Sequence, residues 1–151
     1  MDFGPKEALE KLRKFCAYQE RSHEDVVQKM WDLKIPEDWR DDIVLALMKE
    51  NFLNEERFAR TYTRGKFNIK KWGRVKIVEG LKRHRVSSQC IKLGLSEIDE
   101  DVYIKVLKNT IDDKRSRLKE KNPWKRRSAI YRFAAQRGFE SSLINEYIND
   151  K

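Results

Sequence analysis

The sequence predicts an all-α fold, an elongated, curved tandem array of three three-helix modules. Three observations lead there. Apolar residues recur at intervals of three and four through most of the chain, the spacing that gathers them on one face of a helix. Six Gly and three Pro in 151 residues leave little material for turns, so the elements must be long and regular. Hydrophobic and charged residues each make up 39% of the chain. That is too much charge for a deep core and too much ordered apolar spacing for disorder.

Pro5 suits the first position of a helix, and Ala8, Leu9, Leu12, Phe15 and Cys16 then share one face. Ser22 can cap a second helix, with Glu24 and Asp25 in its first turn and Val26, Val27, Met30 and Leu33 behind them. Pro36 opens a third, whose Trp39, Ile43, Leu47 and Met48 run towards Phe52. Asn54 caps a fourth, which carries Phe58, Tyr62, Gly65, Ile69 and Trp72 on one stripe until Gly73 breaks it. A short helix follows over residues 74–85, and a shorter one, opened by Ser87 or Ser88, closes near Gly94. Asp99 caps a long helix through Lys121 with Tyr103, Leu107, Ile111, Lys114 and Leu118 along one side. Asn122–Pro123 opens the next, Gly138 ends it, and residues 141–148 supply the last.

The breaks repeat. "VVQKMWDLKI", "KIVEGLKRHRV" and "AIYRFAAQRGF" each end a helix in a basic residue and a closing apolar one, Ile35, Val86 and Phe139. A short helix with Ile43, Ile91 or Ile144 follows each time, and a longer one precedes each. This pattern divides the chain into modules at 6–52, 53–98 and 99–151. Modules of this size bury one face each and lean on their neighbours, which gives a thin, curved array.

The net charge of +9 is uneven. Residues 1–50 hold 9 Lys/Arg against 12 Asp/Glu, residues 51–100 hold 12 against 6, and residues 101–151 hold 13 against 7. The first module is therefore net acidic and the other two basic, which suits a polyanionic partner, nucleic acid first. Cys16 and Cys90 stand apart in apolar settings and read as buried free thiols in a reducing cytoplasm. No stretch has the length of a membrane span, and "MDFGPKEALE" lacks the apolar core of a signal peptide.

Catalytic constellations are missing. His23 and His84 have no ligand-like neighbours, there is no phosphate-binding glycine loop or nucleophile elbow, and the acids in "WRDD" and "IDDK" point apart on a helix. No catalytic residue, metal or cofactor is expected. Basic residues interleaved with aromatics are present instead. Arg57, Arg60, Arg64 and Lys71 form a second stripe on the fourth helix, and Lys105, Lys108, Arg115 and Lys119 share a face of the seventh. Lys70, Lys71 and Arg74 gather at one break and Lys125, Arg126 and Arg127 at another. Phe67 lies off the apolar stripe, placed either to stack on a base or to pack under the next module. Trp72 and Trp124 read as core or inter-module packing.

Residues 52–86, "FLNEERFARTYTRGKFNIKKWGRVKIVEGLKRHRV", resemble the central stretch of the RecX family, regulators of the RecA recombinase. The likeness rests on Arg57, Phe58 and Ala59 after an acidic step, on Lys71 and Gly73, and on Glu79 and Leu81. Here Gly80 separates that glutamate and leucine, which the family usually holds adjacent, and Asn54-Glu55-Glu56 stands where an aspartate is commoner. Near the end Arg137, Gly138 and Phe139 resemble the family's "RRGF" signature. The resemblance implies a cytoplasmic, non-enzymatic regulator whose partners are RecA, its nucleoprotein filament and single-stranded DNA, with double-stranded DNA second; a monomer and no membrane partner are expected. Such a protein would lie in the filament's helical groove and oppose recombinase activity. Expected contacts are Arg57, Arg60, Arg64, Phe67, Lys70, Lys71 and Arg74, with Lys125, Arg126 and Arg127. The rival reading is a general nucleic-acid-binding helical protein that acts without RecA, held through phosphates and steeply salt-dependent.

Overall fold

Each break in the apolar spacing becomes a helix end. The structure is a computed structural model that describes residues 3–149. Its nine helices among the described residues are α1 (Pro5–Tyr18), α2 (His23–Asp32), α3 (Glu37–Lys49), α4 (Glu55–Asn68), α5 (Arg74–Arg83), α6 (Ser88–Leu95), α7 (Glu100–Arg117), α8 (Pro123–Gln136) and α9 (Ser141–Tyr147). No strand is present among them.

The caps are those the sequence carries. Ser22 accepts from the Asp25 N–H while the Asp25 carboxylate accepts from the Ser22 N–H, a closed capping box at the head of α2. Asn54 accepts from Arg57 N–H at 2.9 Å, Asp99 from Val102 N–H at 3.0 Å, and Asn122 from the N–H groups of Trp124 and Lys125. The second helix of each repeat ends alike. Lys34, Arg85 and Gly138 take left-handed φ values of 55°, 58° and 97°. The next residue then donates back five positions: Ile35 to Met30 O, Val86 to Leu81 O and Phe139 to Ala134 O, at 3.0, 3.1 and 3.2 Å. Those three closing side chains are buried. The repeat read from sequence is therefore a repeated helix stop with an apolar plug.

Two helices end early. α4 stops at Asn68 because the chain turns left-handed at Lys71 (φ 60°), with Trp72 N–H returning to Lys66 O at 3.0 Å. Ile69 and Trp72 therefore leave the apolar stripe, and Ile69 is 78% exposed. α7 stops at Arg117 rather than Lys121. The Arg126 guanidinium takes up the carbonyls of Arg115, Leu118 and Glu120, and the Glu120 carboxylate accepts from Lys121 and Asn122 N–H groups, turning the chain into the α8 cap. Val27 and Met48, expected inside, lie at the surface. The final two residues of the 99–151 segment lie outside the described residues.

By compactness the described chain forms two units. One comprises the residues up to Thr61 together with Leu81–Gly94; the other comprises Tyr62–Gly80 and the residues from Leu95 on. The division falls inside α4 and α5, so it does not follow the 52/53 and 98/99 boundaries read from the repeats. In the first unit α1 packs on α2 and α3 around Leu12, Val26, Met30, Ile35 and Leu47. In the second α8 packs on α7 and α9, with Tyr103, Leu107, Ile111, Ala134 and Ile144 at most 1% exposed. Cys16 is buried and its thiol pushed up to about 11, chiefly by burial; Cys90 is half-buried, and both are free thiols.

Candidate interaction surface

The arginines of the α4 stripe are engaged by carboxylates, and Arg57 is also tied to backbone carbonyls. Arg57 Nε donates to the Glu20 carboxylate at 2.9 Å, and its terminal nitrogen reaches the carbonyls of Asn51 and Phe52 at 2.9 and 3.3 Å. It is a strap between the head of α4, the α1–α2 connection and the end of α3. Arg60 pairs with Glu56 one turn back at 2.9 Å, and Arg64 with Glu97 at 2.7 Å. Within the same first unit Arg85 meets Glu24 at 3.2 Å. His84 packs its ring on Phe58, with Nδ1 3.1 Å from Ser22 Oγ and 3.3 Å from Asp25. Acids of the first repeat thus take up cations of the second.

The break at Gly73 has a different architecture, inside the second unit. Gly73 N–H donates to Arg137 O at 2.7 Å and Val75 N–H to Gly138 O at 2.9 Å, so the open donors at the head of α5 are met by the end of α8. The approach is backbone on backbone. A Cβ at Gly73 would fall inside 3.0 Å of Gly138 C, Gly138 O and Phe139 N, and one at Gly138 would meet Lys76 Cβ and backbone N. Glycine is thus required at 73 by the backbone of Gly138 and Phe139, and at 138 by Lys76 and a left-handed φ of 97°. Arg74 stands beside them, bonded to Glu140 at 2.8 Å and Glu100 at 2.7 Å with its guanidinium over the Tyr103 ring. Burial lowers the pKa of Arg74, but the two carboxylates outweigh it. The Tyr103 hydroxyl accepts from Arg74 N–H at 2.9 Å and donates to Glu140; burial first, then that carboxylate, holds it far above its ordinary pKa.

Phe67 is 5% exposed with its ring against Tyr103. Of its two readings, packing is the one the structure contains, and a base cannot reach it. Arg126 caps α7 as described, and Arg127 donates to Asn149 at 2.7 Å. Lys70, Lys71 and Lys125 are exposed. Among the motif residues Phe58, Ala59, Leu81 and Phe139 are core, Glu79 is exposed, and Arg137 lies over the Phe133 ring while its carbonyl serves Gly73. Gly80, which separates Glu79 from Leu81, makes room for the Tyr62 hydroxyl.

Trp124 overturns its sequence reading: it is 80% exposed. It stands in the first turn of α8, before the helix reaches its packed face at Ile130 and Ala134. With Lys125, Ser128, Tyr131 and Arg132 it lines two shallow hollows of about 360 and 470 Å³. The missed signal was the helix's own composition, "PWKRRSAIYRFAAQ", which contains no acid. Among the described residues no group of three His, Cys, Asp or Glu side chains could hold a metal ion. No helix there is long and apolar enough to cross a membrane.

Fold and surface define an all-helical protein of repeated three-helix units with basic residues at its helix breaks. Family models match it in two places: RecX, second three-helix domain, over residues 54–95, and RecX, third three-helix domain, over residues 101–148. The chain belongs to the RecX family. It is 22% identical over 144 residues to the regulatory protein RecX of Limosilactobacillus reuteri strain DSM 20016, and equally to that of L. reuteri subsp. reuteri strain JCM 1112. That match covers 95% of this chain and 54% of each relative, so the chain spans about half the length of the curated relatives it matches. A crystal structure of regulatory protein RecX shares the fold with a TM-score of 0.88 and 19% identity, over 97% of this chain and 73% of that one. The crystal structure of RecX from Lactobacillus salivarius does so with a TM-score of 0.86 and 18% identity, over 97% and 95%.

Proposed function

We propose that this chain regulates a RecA recombinase by binding the RecA–single-stranded DNA filament in its helical groove and opposing recombinase activity. It does so as a cytoplasmic monomer without catalysis, built as modules 6–52, 53–98 and 99–151. The observation that carries the reading is the match to two successive RecX domains across the two basic segments of the chain. A basic repeat protein gains avidity on a polymeric anion from many weak contacts. The contact set is narrower than charge alone suggested. Lys70, Lys71 and Lys125 are its exposed members, with the outward edges of Arg60, Arg64 and Arg127 beside them. Arg57, Arg74 and Arg126 serve the fold first.

Binding to bare single-stranded DNA and to a preformed RecA filament, compared across a salt series, tests this. The variant is Lys70→Ala/Lys71→Ala/Lys125→Ala, because alanine at Arg57 would loosen the fold itself. Tighter and less salt-sensitive binding to the filament, weakened in the variant, is expected. Equal binding to both, collapsing together with salt, would leave the general nucleic-acid binder instead.

A further inference from the structure

We infer that the outward face of α8 is a stacking platform for the unpaired bases of single-stranded nucleic acid, with Trp124 as its principal ring. The inference deepens the proposed function, on which it rests, by naming the element that meets the strand. α8 carries Lys125, Arg126, Arg127 and Arg132 and no acidic residue over its 14 positions. Arg126 is occupied with the α7 carbonyls and Arg127 with Asn149. The side chains of Lys125 and Arg132 enter no ion pair or hydrogen bond among the described residues. Positions 124, 128, 131 and 132 fall on one helix face. Ser128, small and exposed, leaves room between Trp124 and the Tyr131–Arg132 pair, and the two hollows open there.

An exposed indole flanked by unpaired cations has the chemistry a single strand needs: π-faces for bases and charges for the phosphates on either side. A duplex keeps its bases stacked on each other and offers that ring nothing. The ring itself distinguishes the face from a general basic patch, because an acidic protein segment would use the cations and leave the indole in water. Glu120 is the only carboxylate lining the hollows. The other well-exposed tryptophan, Trp31, lies under the Arg40 guanidinium at 4.3 Å, and the nearby α3 holds Glu37, Asp38, Asp41 and Asp42, which repel a phosphate chain. Nor does the site depend on the open end of α8, whose first N–H groups already donate to Asn122.

The test is fluorescence anisotropy of a labelled oligothymidylate with the full chain, beside a duplex probe and a polyglutamate probe. Trp124→Ala should weaken oligothymidylate binding about tenfold at fixed salt, with the salt slope unchanged, while Trp124→Phe retains most of the affinity. Lys125→Ala and Arg132→Ala should each lower the slope of log K against log salt by about 0.7 per phosphate contact. Duplex affinity should be unaffected by Trp124→Ala. All three substituted positions are exposed, and unchanged circular dichroism and melting verify that each variant is folded. The inference is overturned if wild type fails to bind oligothymidylate, or if Trp124→Ala binds it as wild type does. Equal loss on the duplex, or loss on polyglutamate alone, overturns it too. Failure of filament binding while the Trp124-dependent oligothymidylate affinity persists would sink the regulator reading, not the platform.

Discussion

Replacing Gly73 by alanine adds one methyl group at a close backbone approach of the second unit. Its Cβ would fall within 3.0 Å of three backbone atoms of Gly138 and Phe139, none of which can rotate away. Either α5 or the end of α8 must retreat. Forced repacking of this kind costs about 1–3 kcal/mol. The retreat also lengthens the bonds from Gly73 N–H to Arg137 O and from Val75 N–H to Gly138 O, each worth roughly 1 kcal/mol net. Together the loss is about 3–5 kcal/mol, a large share of the 5–15 kcal/mol or so that a domain has. Urea unfolding followed by far-ultraviolet circular dichroism measures it. Gly65→Ala is the matched control, because a Cβ there meets nothing within 4 Å and the position is inside α4. That variant should gain about 0.5–1 kcal/mol. One substitution made at two glycines should therefore act with opposite sign. A Gly73→Ala chain within about 1 kcal/mol of wild type would refute the claim that the Gly138–Phe139 backbone requires glycine at 73.

Arg57→Ala should cost about 1–2 kcal/mol in the same assay, since the side chain is a third exposed and its bonds are partly screened; Arg57→Lys should recover the charge but not the several directed bonds. Lys34→Gly relieves a left-handed non-glycine residue and should raise stability by about 1 kcal/mol, seen as a higher urea midpoint with unchanged slope. Burial raises the Glu55 pKa, but bonds from the Ser87 hydroxyl and N–H and from Cys90 outweigh it, so the carboxyl titrates below its ordinary value. A depressed folded-state pKa contributes stability that is present above the unfolded value and lost as pH falls through the folded one. Melting temperatures of wild type should thus fall between about pH 5 and pH 3, and those of Glu55→Gln should fall less.

The fold was legible wherever the signal was local. Ser22, Asn54, Asp99 and Asn122 cap the helices they precede, and Ile35, Val86 and Phe139 are the plugs their recurrence suggested. Prediction failed where the deciding partner is distant in sequence. The stripe through Arg57 and Arg64 was visible, but its partners Glu20 and Glu97 lie 37 and 33 residues away. Phe67 lies opposite the stripe through Phe58, Tyr62 and Gly65, but α4 also buries a line through Ala59, Thr63 and Phe67, spaced by four and too poor in large apolar residues to read as a core face. Aromatic character suggested packing for Trp124, and only the absence of acids along α8 spoke for exposure. The pairing of Gly73 with Gly138 joins two motifs 65 positions apart; each marked a break, and neither named the other.

The acids of the first repeat act as a shield. Glu20 and Glu24 stand against Arg57 and Arg85, so part of the basic character counted along the chain is cancelled before any partner arrives. What remains for outside use is concentrated in fewer places, which favours discrimination among competing polyanions over indiscriminate adhesion. Replacing Glu20 and Glu24 by glutamine would uncover two guanidinium groups, and the protein would then cling more strongly to heparin and RNA alike.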